Sequence, residues 1–245
     1  MRKINLVIAL FFSASLLAQT KPLNIKIDAI TSEESDSKKR TYLINYHIEN
    51  ITDHPVSFFL YPNSLIANAA SSMTLFPIYK IYQNNDFIAL DGPFYEQQEN
   101  EEWNRYLEMK DKKSAEAKEL LKKITVEFEI RTKTIVENYK KMGGTKTDEH
   151  WILQNNHLLK TEITLSPKET RSFTIKTYWD KERYFLQDDL EYYLDEKDRF
   201  EFELVVDLKK TFFKDRLSPE EFGKIEKDKN FIEGTFTSNK VNITF

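Results

Sequence analysis

Residues 199–208 read RFEFELVVDL, and this stretch decides the fold class of the chain. Apolar side chains occupy every second position from Phe200, with Glu201, Glu203 and Asp207 between them. A period of two places the apolar side chains on one face of an extended strand and the acidic ones on the other. The sequence therefore predicts a half-buried β-strand here.

Segments on both sides of this stretch show the same alternation. β-Branched and aromatic residues, which are enriched in strands, fill their apolar positions. Residues 166–169 read SPKE and predict a tight connection between two of the segments. The further predicted strands are 23–27, 42–48, 56–60, 73–82 with an edge or a bulge at Pro77, 86–90, 157–165, 170–179 and 240–245.

Residues 50–55 read NITDHP and separate the strands predicted at 42–48 and 56–60. Asn, Asp and Pro favour a turn, and the apolar pattern resumes directly after it. We therefore expect these two strands to pair with one another in an antiparallel arrangement. Asn50 also begins one of two Asn-Ile-Thr sequons, the other being at 242–244.

The composition changes at about residue 96 to Glu, Lys, Ala, Leu and Gln, and this segment continues to about residue 143. Glu residues repeatedly stand four positions before Lys or Arg, which is the favourable order in a helix. Residues 124–130 also alternate as a strand would, but the helical pattern extends well beyond them, and Gly143 and Gly144 supply a helix stop. The predicted helix has an apolar stripe of Ala117, Leu121, Ile124, Phe128, Ile135, Tyr139 and Met142.

Two shorter helices are predicted in the last third of the chain. Ser218, Pro219 and Glu221 form a capping-box pattern, which indicates a helix that ends before Phe231. Another short helix is expected within 181–194.

About seven to nine short strands with no parallel βαβ rhythm favour an immunoglobulin-like antiparallel β-sandwich. Neither β block has enough strands to close a core alone. We therefore predict one mainly β domain over 19–245 that shares both blocks, with the helical segment at about 96–143 as an insertion.

The first 18 residues have the organisation of a secretory signal peptide. Arg2 and Lys3 precede an apolar run at 4–12, which is shorter than the roughly 20 residues needed to span a bilayer. Cleavage after Ala18 is expected, although Leu16 leaves the exact bond open. We expect a soluble periplasmic or secreted protein, with no lipoprotein cysteine and no membrane insertion after cleavage.

The composition also excludes several classes of catalytic and binding site. The chain has no cysteine, so thiol nucleophiles, thiolate metal sites and disulfides are excluded. Charges of both signs are interspersed, the net charge is −4, and the basic cluster at 37–40 lies beside acidic residues, so nucleic acid is not expected as a partner. No nucleophile elbow or phosphate loop is present. The four histidines are His47, His54, His150 and His157, and their spacing fits no metal motif. We therefore assign no catalytic, cofactor-binding or metal-binding residue.

Acidic and aromatic residues leave two alternatives open. The densest acidic group contains Asp188, Asp189, Asp195 and Glu196, and we interpret it as a solvated face. Aromatic residues make up 13% of the chain, and we favour a ring-rich core over an exposed binding platform for pairs such as 178–179 and 192–193.

Two functions remain open from the sequence. The first, which we prefer, is a non-enzymatic binding or interaction module in which the helical insertion contacts another exported protein or an envelope component. Its alternative is that the apolar stripe packs back on the sheet. The second function is a secreted, glycosidase-like hydrolase with an acid pair that the sequence does not identify.

Overall fold

The computed structural model describes residues 21–34, 39–67, 74–88, 94–95, 101–180, 186–187, 190–191 and 198–245. The predicted signal peptide at 1–18 lies outside these residues. Among the helices that are described, none is both long enough and apolar enough to cross a membrane.

This part of the chain is mainly β, with several sheets and four α-helices. The helices are α1 (Glu101–Glu108), α2 (Ala115–Lys141), α3 (Glu149–Leu159) and α4 (Pro219–Lys227), and a short 3₁₀ helix spans Lys210–Phe213. The strands are β1 (Leu23–Glu34), β2 (Lys39–Asn50), β3 (Val56–Phe59), β4 (Ile66–Ala67), β5 (Ile78–Gln83), β6 (Asp86–Ile88), β7 (Phe94–Tyr95), β8 (Glu162–Leu165), β9 (Thr170–Asp180), β10 (Leu186–Gln187), β11 (Leu190–Glu191), β12 (Phe200–Leu208), β13 (Gly234–Thr237) and β14 (Val241–Ile243).

Two larger sheets form the body of the fold. The first has the strand order β1-β2-β9-β7 and is antiparallel throughout. The second has the order β13-β12-β5-β4, and β14 and β6 pair with β12 and β5 respectively. The RFEFELVVDL stretch forms β12, in the middle of this second sheet, so its predicted strand is confirmed.

Side chains from both larger sheets meet in one hydrophobic core. The inward-facing residues of β2 and β12 are buried, as their period of two predicts. Aromatic rings fill much of the space: the ring of Phe245 lies 5.4 Å from that of Trp179 and 5.1 Å from that of Phe200. Tyr178, on the opposite face from Trp179, is partly exposed. Of this pair, Trp179 belongs to the predicted ring-rich core and Tyr178 does not.

The predicted pairing of the strands on either side of 50–55 was wrong. β3 pairs with β8, because both edges of β2 are already occupied by β1 and β9. Asn50 is fully buried at the crossing between sheets, and its amide donates to the carbonyls of His54 (2.8 Å), Leu165 (3.2 Å) and Ser166 (2.9 Å). Its Oδ1 accepts from the backbone N–H (2.9 Å) and hydroxyl (2.7 Å) of Thr52. These bonds direct the chain into a different sheet.

Two other predictions of secondary structure need correction. The first three residues of the strand predicted at 157–165 belong to α3, and only β8 is extended. Leu158 and Ile152 are buried on the core side of α3, with the polar Asn155 between them, which hides the helical period. The short helix expected within 181–194 is wrong at its described residues, which form the paired strands β10 and β11.

The helical segment is confirmed at 101–108 and 115–141, but residues 109–114 are not helical and divide it into two helices; 124–130 is helix rather than strand. Ser114 caps α2 by accepting from the backbone N–H of Ala117 (3.1 Å), and Gly143 ends it with a φ of +87°, a conformation that glycine adopts readily. The predicted capping box at the start of α4 is also present. Lys123 stands four positions after Glu119 but instead pairs with Glu102 of α1 and contacts Glu127 at 3.9 Å.

Candidate functional site

An open groove of about 1260 Å³ lies between the C-terminal half of α2, α3 and the loop residues around Tyr61 and Phe76. The side chains of Tyr61 and Phe76 stack on one another, with ring centroids 5.0 Å apart. The groove is lined by apolar side chains from both helices. They include Phe128, Ile135, Tyr139, Met142, Leu153 and Leu159.

α2 is mostly exposed although it carries many apolar residues. It has 27 residues and is therefore about 40 Å long, yet only Ala117, Leu120 and Val136 are buried along it. Its main packing partners are α1 and α3. Phe128 is 55% exposed and Met142, just after the helix, is 81% exposed. The C-terminal half of the predicted apolar stripe thus opens into the groove.

α3 is held in place by apolar packing and by a hydrogen bond to α4. Leu158 packs into a second hydrophobic core with Phe59, Phe213 and Phe231. Buried Asn155 donates to the Glu221 carboxylate (2.9 Å), which ties α3 to the first turn of α4. One wall of the groove is therefore fixed by both apolar packing and a buried hydrogen bond.

The junction between α2 and α3 depends on a glycine. A Cβ atom at Gly144 would collide with the ring of Tyr139, which lines the groove. That ring also meets Trp151 of α3 at 6.0 Å between centroids, and the indole N–H of Trp151 donates to the carbonyl of Asp215 at 3.0 Å. The missing side chain at Gly144 lets Tyr139 lie at this end of the groove.

The groove carries positive charge on a chain whose net charge is −4. Arg131, Lys141, Lys160 and Arg216 line it, with Glu221 as the carboxylate. Glu221 is already engaged, because it accepts from Asn155 and from the backbone N–H of Ser218 at 2.8 Å. Arg131, Lys141 and Lys160 are exposed and form no ion pair with a carboxylate among the described residues.

Two of the four histidines come together at the groove. His150 and His157 both line it, and they lie two helical turns apart on α3. The ring of His157 meets Tyr61 edge-on at 5.9 Å, and His150 Nε2 lies 2.9 Å from the amide nitrogen of Gln154. His47 instead contacts Asp28 (2.8 Å) across β1 and β2. Within the described ranges, no cluster of three His, Asp or Glu side chains is arranged to hold a metal.

Other candidates from the sequence are engaged structurally or lie outside the described residues. Arg40, from the basic cluster, pairs with Glu34 and lies 5.7 Å from the centre of the Trp179 ring. Asp188, Asp189, Asp195 and Glu196, and the aromatic pair at 192–193, are outside the described residues.

Glu203 is the one charged side chain that is buried among the described residues. It faces away from the main core and accepts a hydrogen bond from the hydroxyl of Tyr82 at 2.8 Å. Burial and this hydrogen bond raise the pKa of Tyr82 to about 12, so the phenol stays protonated and donates to the carboxylate. The pair joins β5 to β12 on the outer face of the second sheet.

Comparison with known protein families, with curated proteins and with solved structures finds no match. The groove itself is what the sequence reasoning missed. Its lining comes from α2, α3, α4 and residues such as Tyr61, Leu75 and Phe76, which are distant from one another in the chain. The predicted apolar stripe contained the α2 side of the lining, and the seven-residue spacing of His150 and His157 could have indicated the shared face of α3.

Proposed function

We propose that this protein is a non-enzymatic binding module of the cell envelope or secretome, and that the groove between α2 and α3 contacts another exported protein or envelope component. Export would follow from the signal peptide at 1–18. The two larger sheets would serve as an immunoglobulin-like sandwich scaffold within one domain over 19–245, and the helices from about 96 to 143 as the insertion that carries the contact surface.

The observation that carries this proposal is the exposure of large apolar side chains at one concave place. Phe128 and Met142 are more than half exposed, and Leu159 on the facing helix is 39% exposed. A contiguous apolar surface with a polar rim is typical of an interaction site, because exposing it to water is unfavourable.

The size of the groove favours a macromolecular partner. Its volume of about 1260 Å³ exceeds the roughly 300–1,000 Å³ of a typical small-molecule pocket. A polypeptide or another extended component therefore fits better than a compact metabolite.

The groove also has a pre-formed wall. α3 is anchored by the second hydrophobic core and by the hydrogen bond from Asn155 to Glu221. A surface that is ordered before binding loses less conformational entropy on association. This supports binding rather than a purely structural role for the helices.

A pull-down from the native host tests the proposal with two matched variants of the tagged full chain. Phe128→Asp places a charge in the groove, and Ile130→Asp places the same charge on another face of α2, where the side chain is 62% exposed and does not line the groove. Circular dichroism and thermal melts establish that both variants fold.

We expect the native chain and Ile130→Asp to capture the same crosslinked partner and Phe128→Asp to lose it. Equal capture by both variants would place the contact elsewhere and contradict the proposal. So would the absence of any specific capture by the native chain.

A further inference from the structure

Granted the binding function proposed for the groove, we infer that its occupant is an acidic amphipathic α-helix of a partner polypeptide. Three features of the groove support this inference: the spacing of its apolar side chains, the secondary structure of its walls, and its charge.

Three of the apolar residues that α2 and its C-cap present to the groove are spaced seven positions apart. Phe128, Ile135 and Met142 all line it, and together they cover about 21 Å along the helix direction. A spacing of seven keeps side chains on nearly one line, which is the arrangement that a second helix packs against. α3, with 11 residues, forms a facing wall of about 16 Å, or three turns.

The walls of the groove offer side chains rather than free backbone. The N–H and C=O groups inside α2 and α3 are used by the helices themselves. The loop segments are also engaged, since the backbone N–H of Tyr61 donates to the carbonyl of Leu75 at 2.7 Å. Strand addition needs an open sheet edge, whereas a helix satisfies its own backbone. The occupant is therefore helical.

The charge of the groove selects acidic side chains on that helix. Arg131 and Lys141 flank the apolar line on α2, and Lys160 lies at the C-terminal end of α3. The Glu221 carboxylate already accepts hydrogen bonds from Asn155 of α3 and from its own capping box, so it does not neutralise these cations. Glu and Asp beside the apolar face of a partner helix would pair with these cations and steer its approach.

Three fluorescein-labelled peptides of about 18 residues, locked as helices by a side-chain staple, serve as probes. The first has Leu at heptad spacing flanked by Glu, the second has every Glu replaced by Lys, and the third is the first peptide scrambled to remove its apolar face. Fluorescence anisotropy with the purified protein reports their binding. We expect the acidic amphipathic peptide to bind about tenfold more tightly than either of the others, and more weakly as salt rises.

Charge reversal provides the decisive comparison. The variant Arg131→Glu/Lys160→Glu changes two exposed cations of the groove. The control Lys122→Glu/Lys133→Glu makes the same change at exposed positions of α2 that do not line it. We expect the groove variant to prefer the basic peptide, and the control to keep the preference of the native chain.

Several results would overturn the inference. These are equal binding of the acidic and basic peptides, equal binding of the scrambled peptide, or an unchanged preference in the groove variant. Binding to phosphatidylglycerol vesicles that depends on the groove cations and is not displaced by the acidic peptide would assign the surface to lipid instead. In each case, capture of a partner that depends on Phe128 would still support the proposed binding function. Capture that does not depend on Phe128 would contradict both the binding function and the inference of a helical occupant.

Discussion

Replacing Asn50 by alanine tests whether one buried side chain holds the crossing between the sheets. Its amide serves three backbone carbonyls and its Oδ1 accepts two bonds from Thr52, all between 2.7 and 3.2 Å. A net hydrogen bond contributes about 1 kcal/mol, and several of these share hydrogens, so Asn50→Ala should lower the free energy of unfolding by about 3 kcal/mol. The carbonyls of Leu165 and Ser166 would lose this donor.

Thermal and urea unfolding measure this loss, with Asn242→Ala as the matched control. Asn242 begins the second Asn-Ile-Thr tripeptide but is exposed on β14. At about 2–4 °C per kcal/mol for a chain of this size, Asn50→Ala should lower Tm by about 6–12 °C. The control should change stability by less than about 0.5 kcal/mol. Equal and small effects of the two substitutions would refute the role assigned to Asn50.

Three further predictions concern acid stability, the groove and export. A backbone N–H and a neighbouring guanidinium lower the pKa of Glu169 below its ordinary value of 4.5. The ionised side chain therefore stabilises the fold above that value, and this stabilisation is lost as pH falls through the lowered pKa. Urea melts of Glu169→Gln should lack this acid-dependent loss of stability. Gly144→Ala should displace Tyr139 and weaken partner capture, whereas Gly143→Ala, which meets no neighbouring atom, should cost about 1 kcal/mol of stability and leave capture intact. N-terminal sequencing of protein recovered outside the cytoplasm should begin at Gln19, and a sequence that begins at Met1 would contradict cleavage.

The strands that the sequence predicts best are those whose core side chains occupy every second position. β1, β2, β9 and β12 all contain the predicted alternation, because a one-residue shift would expose every core side chain of a strand. The partner of each strand was less predictable. The sequence at 50–55 has the local pattern of a hairpin turn. Asn50, however, donates a hydrogen bond to the carbonyl of Leu165, which is 115 residues away in the chain, and no local pattern reveals this contact.

For the helices too, features set by neighbouring residues were predictable, and features set by contacts distant in the sequence were not. Charge spacing and caps identified α2 and α4, since both signals lie within a few residues of each other. α3 was partly mistaken for a strand because its buried Asn155 interrupts the apolar period, and its partner Glu221 lies on a different helix. The groove was not predictable from the sequence. Whether Phe128 is exposed depends on whether other elements of the fold cover it, and the sequence near Phe128 carries no information on this.

Site-specific photo-crosslinking in the native host shows whether the groove is the surface that contacts a partner. A benzophenone amino acid is placed at position 128, inside the groove, or at position 130, on another face of the same helix. We expect a discrete crosslinked species from position 128 and none from position 130, with the 128 product lost in the Arg131→Glu/Lys160→Glu background. Crosslinking from 130 alone, or equally from both positions, would contradict it.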